Sequence, residues 1–99
     1  MNIVHVEFQE GWDGGQVEVS VNGGLCYQGT PTTRMQTGFA DSFSAEVETD
    51  TIELGVSVPG LSLSVERSIS VAKEHWIGLS LKDHSTIRVA EQPAPFGYL

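Results

Sequence analysis

The stretch QVEVSVNGGLCYQ, Gln16 to Gln28, decides the fold class. Val17, Val19 and Val21 alternate with Glu18 and Ser20, the two-residue period of a half-buried strand. Asn22-Gly23-Gly24 supplies turn chemistry, after which Leu25 and Tyr27 resume the apolar phase. Pairing Val21 with Leu25 across those three residues aligns Val19 with Tyr27, so both pairs share one apolar face. A slip of one residue would turn one strand's apolar set to solvent. In a three-residue loop of this kind Gly24 is expected to take the left-handed position. The same register puts Cys26 on the face of Glu18 and Gln28.

The period extends in both directions. Upstream, Val4, Val6 and Phe8 alternate with His5 and Glu7, and the turn residues QEGWDGGQ follow. Downstream, Phe43, Ala45 and Val47 alternate with Ser44, Glu46 and Glu48, and Ile52, Leu54, Val56 and Val58 face one way. Leu61, Leu63, Val65, Ile69 and Val71 keep an odd phase past Arg67, as one long strand or a bent one with a bulge. Ile77, Leu79 and Leu81 stand opposite Trp76, Gly78 and Ser80. A final hairpin pairs Leu81 with Ile87 across Asp83-His84-Ser85 and aligns Leu79 with Val89. Pro59-Gly60 favours a type II turn, whose twist suits a tight hairpin poorly, so a crossover between sheets and a hairpin are both open there.

Residues 29–42 break the rhythm. At that length a structureless loop is uncommon in a compact domain. The expectation is a short edge strand, PTTRMQ, with Thr33 and Met35 turned in and Arg34 out, carrying the chain between sheets. The alternative is a surface loop whose Arg34 reaches an acid such as Asp41. Residues 91–99, with two prolines and a glycine, are expected to form an extended tail.

Seven or eight short strands without helical periodicity read as an all-β, antiparallel β-sandwich, with a small barrel as the alternative. Immunoglobulin-like and transthyretin-like sandwiches share this pattern. With 99 residues the chain is one domain.

Composition narrows the function classes. Thirteen acids against five cations give a net charge of −8. That balance argues against nucleic acid and anionic membranes, whose affinity rests on Lys and Arg. The single cysteine excludes an internal disulfide and a Cys-rich zinc site. Neither a membrane-length apolar run nor a secretion signal is evident, which makes cytoplasmic the default expectation.

Motifs for chemistry are sparse. G-x-S-x-G is absent, and nothing marks Cys26 as activated. His5, His75 and His84 lack metal-ligand spacing, while Asp13, Asp41, Asp50 and Asp83 fall in loops without an EF-hand pattern. Neither catalysis nor a cofactor is therefore expected. The aromatic residues carry more. Trp12 sits in a Gly-flanked loop, and Trp76 takes the phase opposite the apolar one, where an outward indole is a contact platform. The tail places Phe96, Tyr98 and Leu99 against the chain's own sandwich or on a neighbour. The sequence reads as a non-catalytic interaction module, self-associating or docked on a protein partner, through Trp76, Phe96 and Tyr98. The alternative is a small-ligand module binding carbohydrate or calcium through sandwich loops, using Trp12, Tyr27, Arg34 and Asp41.

Overall fold

The alternating segments form eight strands in a computed structural model that describes residues 1–97: β1 (Asn2–Phe8), β2 (Val17–Val21), β3 (Gly24–Gly29), β4 (Asp41–Val47), β5 (Thr51–Val58), β6 (Leu63–Ser70), β7 (Glu74–Lys82) and β8 (Thr86–Gln92). They make two four-stranded sheets, ordered β4-β1-β7-β8 and β3-β2-β5-β6. The faces were set by the pattern. Val4, Val6, Phe8, Val17, Val19, Ile52, Leu54, Ile77 and Leu79 are buried between the sheets, and the opposite phase of each strand faces outward. Each such side chain contributes about 1.5–3 kcal/mol by leaving water, which makes this layer the main source of stability.

One pairing departs from the antiparallel expectation. β1 and β7 run parallel, with Val6 beside Ile77 and Phe8 beside Leu79. A parallel neighbour 70 or so positions away leaves no local signal. The order also differs from an immunoglobulin domain, whose first two strands lie in one sheet; here β1 and β2 lie in opposite sheets.

The register of the β7–β8 hairpin is as expected, with Leu81 opposite Ile87 and Leu79 opposite Val89. In the β2–β3 hairpin Val19 does face Tyr27, but Val21 pairs with Gly24 and Ser20 with Leu25. The left-handed residues are Asn22 and Gly23, at φ of 52° and 83°, not Gly24. A two-residue turn with two positive φ values matches strand twist better than the three-residue loop. A bulge after Val19 then absorbs the extra residue, and Leu25 ends 60% exposed. At Pro59-Gly60 the chain makes a hairpin, not a crossover. A 3-10 turn over Pro59–Leu61, closed by left-handed Ser62, joins β5 to an uninterrupted β6.

Strand directions place loops 9–16, 30–40, 59–62 and 83–85 at one end of the sandwich. Every edge strand carries a feature that discourages pairing with another chain. β3 is bulged. β6 holds Arg67 in the inner phase opposite Leu54. β8 holds Glu91 in the inner phase opposite Ile77, tied to His75. On β4 the Asp41 carboxylate accepts the Ser42 N–H at 2.8 Å.

Candidate interaction surface

The segment at 30–40 switches sheets, as expected, but it is not an edge strand. Two isolated bridges, Asp13 with Thr32 and Arg34 with Phe39, are its ladder contacts. Thr33 does turn inward: its hydroxyl donates to the Gln9 carbonyl at 2.6 Å and accepts the Trp12 N–H at 3.0 Å. Met35 does not; it is 98% exposed. Between Arg34 and Phe39 the chain closes into a finger. The Arg34 N–H donates to the Phe39 carbonyl at 3.0 Å, and the Gly38 N–H returns to the Arg34 carbonyl at 2.8 Å. Ala40 N–H then anchors the far side to the Phe8 carbonyl at 2.7 Å. The exposed tip is therefore held by both of its roots.

Arg34 is exposed on this finger, and among the described residues it makes no salt bridge. Asp41, its expected partner, is engaged elsewhere: its carboxylate accepts the Tyr27 hydroxyl at 2.8 Å. Tyr27 is half-buried where β3 lies over β4, stacked on Phe43 at 5.4 Å and packed against Phe8 at 4.6 Å. Burial, then the bond and charge of Asp41, push the Tyr27 phenol up to about 12. Because its folded value lies above its unfolded value of 10.0, its stabilising contribution is intact below pH 10 and is lost as pH rises toward 12. Phenolate absorbance should show Tyr27 ionising near 12 in the wild type and moving back toward 10 in Asp41→Asn. A Tyr27 titration unmoved by that substitution would show that Asp41 is not responsible.

Trp12 is not a surface platform. It is 4% exposed, packs edge-on against Phe8 at 5.4 Å, and donates its indole N–H to the Leu79 carbonyl at 2.9 Å. Its flanking loop closes one side of a cavity of about 230 Å³ at the loop-bearing end, floored by Trp12, Val58, Leu61 and Leu81. At the rim His84 pairs with Asp13 at 2.7 Å.

Trp76 points outward, half-buried, and stacks on His5 at 4.6 Å with an interplanar angle of 20°. His5 also meets Ser44 and Glu74, which lie 39 and 69 positions away. That grouping had no signal in a single sequence, because it arises from three strands brought together by tertiary pairing. All three histidines are joined to carboxylates: His5 to Glu74, His75 to Glu91 and His84 to Asp13. Among the described residues no group of three or more His, Cys, Asp or Glu is arranged to hold a metal ion.

The described part of the tail, to Gly97, lies beside its own sandwich. β8 runs to Gln92, so the extended part starts at Pro93. Phe96 is half-buried, and Gly97 borders the same depression as Gln9, Thr37, Gly38 and Ser80. Tyr98 and Leu99 lie outside the described residues. No helix among the described residues is long and apolar enough to cross a membrane. Comparison with known proteins finds no matching family model, no matching curated protein and no matching solved structure.

Proposed function

We propose that the protein is a non-catalytic, self-associating β-sandwich module in which the finger at 34–39 docks on a second copy. The observation that carries this is Met35, an apolar side chain 98% exposed on a loop whose two roots are hydrogen-bonded to the core. Methionine suits adaptable contact surfaces, and arginine is enriched at interfaces. Arg34, beside it, makes no salt bridge among the described residues and would meet many acids on a copy carrying thirteen. The edge strands resist strand addition, which leaves the loop end as the contact. In sedimentation runs over rising concentration, wild type should pass from monomer toward dimer. Met35→Ser should weaken association roughly tenfold or more, the value of one buried side chain. A strictly monomeric wild type at every concentration would end this reading.

The end cavity supports a second reading, a small-ligand module. Its apolar floor and the polar Asp13–His84 rim suit a small sugar or another compact half-apolar molecule. A glycan panel read through the Trp12 indole resonance would test it, and an unmoved resonance throughout would count against it. Of the two sandwich types expected, the transthyretin-like one is favoured, because the immunoglobulin order places the first two strands together. A cytoplasmic location is consistent with a single exposed Cys26 and the want of a disulfide partner.

A further inference from the structure

The outward face of the sheet β4-β1-β7-β8 carries a hydrogen-bonded chain of three side chains, one from each of its first three strands. Ser44 Oγ lies 2.8 Å from His5 Nδ1, and His5 Nε2 lies 2.7 Å from Glu74 Oε2. The backbone explains why they meet. The N–H groups of Ile3 and Gln9 donate to the carbonyls of Lys73 and Leu79, so odd residues of β1 bond toward β7. Even residues bond toward β4, as the Phe8 carbonyl does with Ala40. His5 and Ser44 are thus directly opposite in a non-hydrogen-bonded pair. In such a pair the Cα atoms approach to about 4.5 Å and the side chains stand close.

The protons follow from the partners. An ionised carboxylate only accepts, so a neutral His5 carries its hydrogen on Nε2, facing Glu74. Nδ1 is left as the acceptor, and Ser44 Oγ–H is its donor. A hydroxyl, a base within reach and a third group orienting the base make the pattern of an activated nucleophile. Trp76 covers one face of the imidazole and holds its plane. Ser44 is exposed, and the alternation on β4 turns its main-chain N–H to the open sheet edge. The Ser42 N–H, in the same phase, is indeed free of β1 and bonds Asp41 Oδ1. The Ser44 N–H therefore stands at the open edge as a backbone donor on the reacting residue itself.

We propose that Ser44 is a nucleophilic hydroxyl that takes an acyl group from a small activated ester, with His5 as its general base and Glu74 as the positioning residue. Ser44 Oγ bonds the acyl carbon while its proton passes to His5 Nδ1. The bond from that carbon to the leaving oxygen breaks, and the proton leaves with that oxygen as an alcohol or phenol. The products are an O-acyl Ser44 and the free phenol, with neutral His5 restored. This is a single transfer on a binding module, and it stands independently of the self-association reading.

The test uses the full chain with 4-nitrophenyl acetate, following nitrophenolate release and mapping the acetyl group by peptide mass spectrometry. Wild type should carry acetyl on Ser44, and Ser44→Ala should lose that adduct with its fold intact. His5→Gln should slow Ser44 acetylation about 100-fold, the low end for a positioned base. Glu74→Gln should slow it about tenfold and shift the His5 tautomer in nitrogen NMR spectra, and the double variant should be no slower than His5→Gln alone. Melting curves show which variants remain folded. Acetylation confined to Lys73, Lys82 or the amino terminus would overturn the proposal, as would equal Ser44 labelling in wild type and a folded His5→Gln.

Discussion

Gly11→Ala is expected to destabilise the protein by about 2–5 kcal/mol and to lower its melting temperature by roughly 10–30 °C. Two separate costs meet at this position. Gly11 has φ of +87°, a conformation that an L side chain enters at about 1–2 kcal/mol. A Cβ there would also overlap the Leu81 carbonyl oxygen, which is backbone and cannot swing aside. The Leu81 N–H is held by the Glu10 carbonyl at 2.8 Å, so relieving the overlap pulls the loop from the end of β7. Two other glycines separate the costs. Gly23→Ala meets no atom within 4 Å but keeps φ of +83°, and should cost about 1 kcal/mol. Gly60→Ala meets nothing and has no positive φ, and should stay within about 0.5 kcal/mol. Urea unfolding of the three variants measures the ladder. Equal stabilities for Gly11→Ala and Gly60→Ala would show that the loop does not lie against Leu81.

What one chain discloses about itself tracks how local the cause is. Val17, Val19 and Val21 show their inward face because a strand's period is two, and Leu81 finds Ile87 because a short turn fixes the register. The β2–β3 hairpin was half legible. Its Val19–Tyr27 pair follows from alternation, but the bulge that moves Leu25 outward depends on which turn Asn22-Gly23 adopts. Pro59-Gly60 leaves hairpin and crossover both open for a related reason: a 3-10 turn closed by Ser62 offers a hairpin route that a type II turn does not. The 30–40 segment was legible as a crossover and not in its shape. Thr33 turns in because the Gln9 carbonyl and the Trp12 N–H await it, and both come from a distant loop. The His5 cluster was hidden altogether. It needs β1 between β4 and β7, a pairing decided by the packed sandwich and not by residues near His5. The burial of Trp12 is hidden for the same reason, since a glycine-flanked tryptophan shows neither the carbonyl nor the ring that receives it.

Trp12→Ala should therefore cost about 3–5 kcal/mol, the range for removing a large buried aromatic side chain. The loss combines transferred area, the cavity left beside Phe8, and the edge-to-face contact at 5.4 Å. Trp12→Phe separates these contributions. It keeps a ring in place but gives up the bond from the indole N–H to the Leu79 carbonyl. That carbonyl also accepts the Gln9 N–H at 2.7 Å, so it is not left without a donor. The cost of Trp12→Phe should then be about 1–2 kcal/mol, one neutral hydrogen bond plus some packing. A Trp76→Phe background leaves Trp12 as the single indole, so its fluorescence should be blue-shifted in the native state and move red on unfolding. If Trp12 were a solvent-facing ligand platform, the alanine variant would change stability by under about 0.5 kcal/mol and the native emission would already be red. Either result would move the aromatic contribution of the loop-bearing end from folding to binding and would strengthen the small-ligand reading at the expense of the finger.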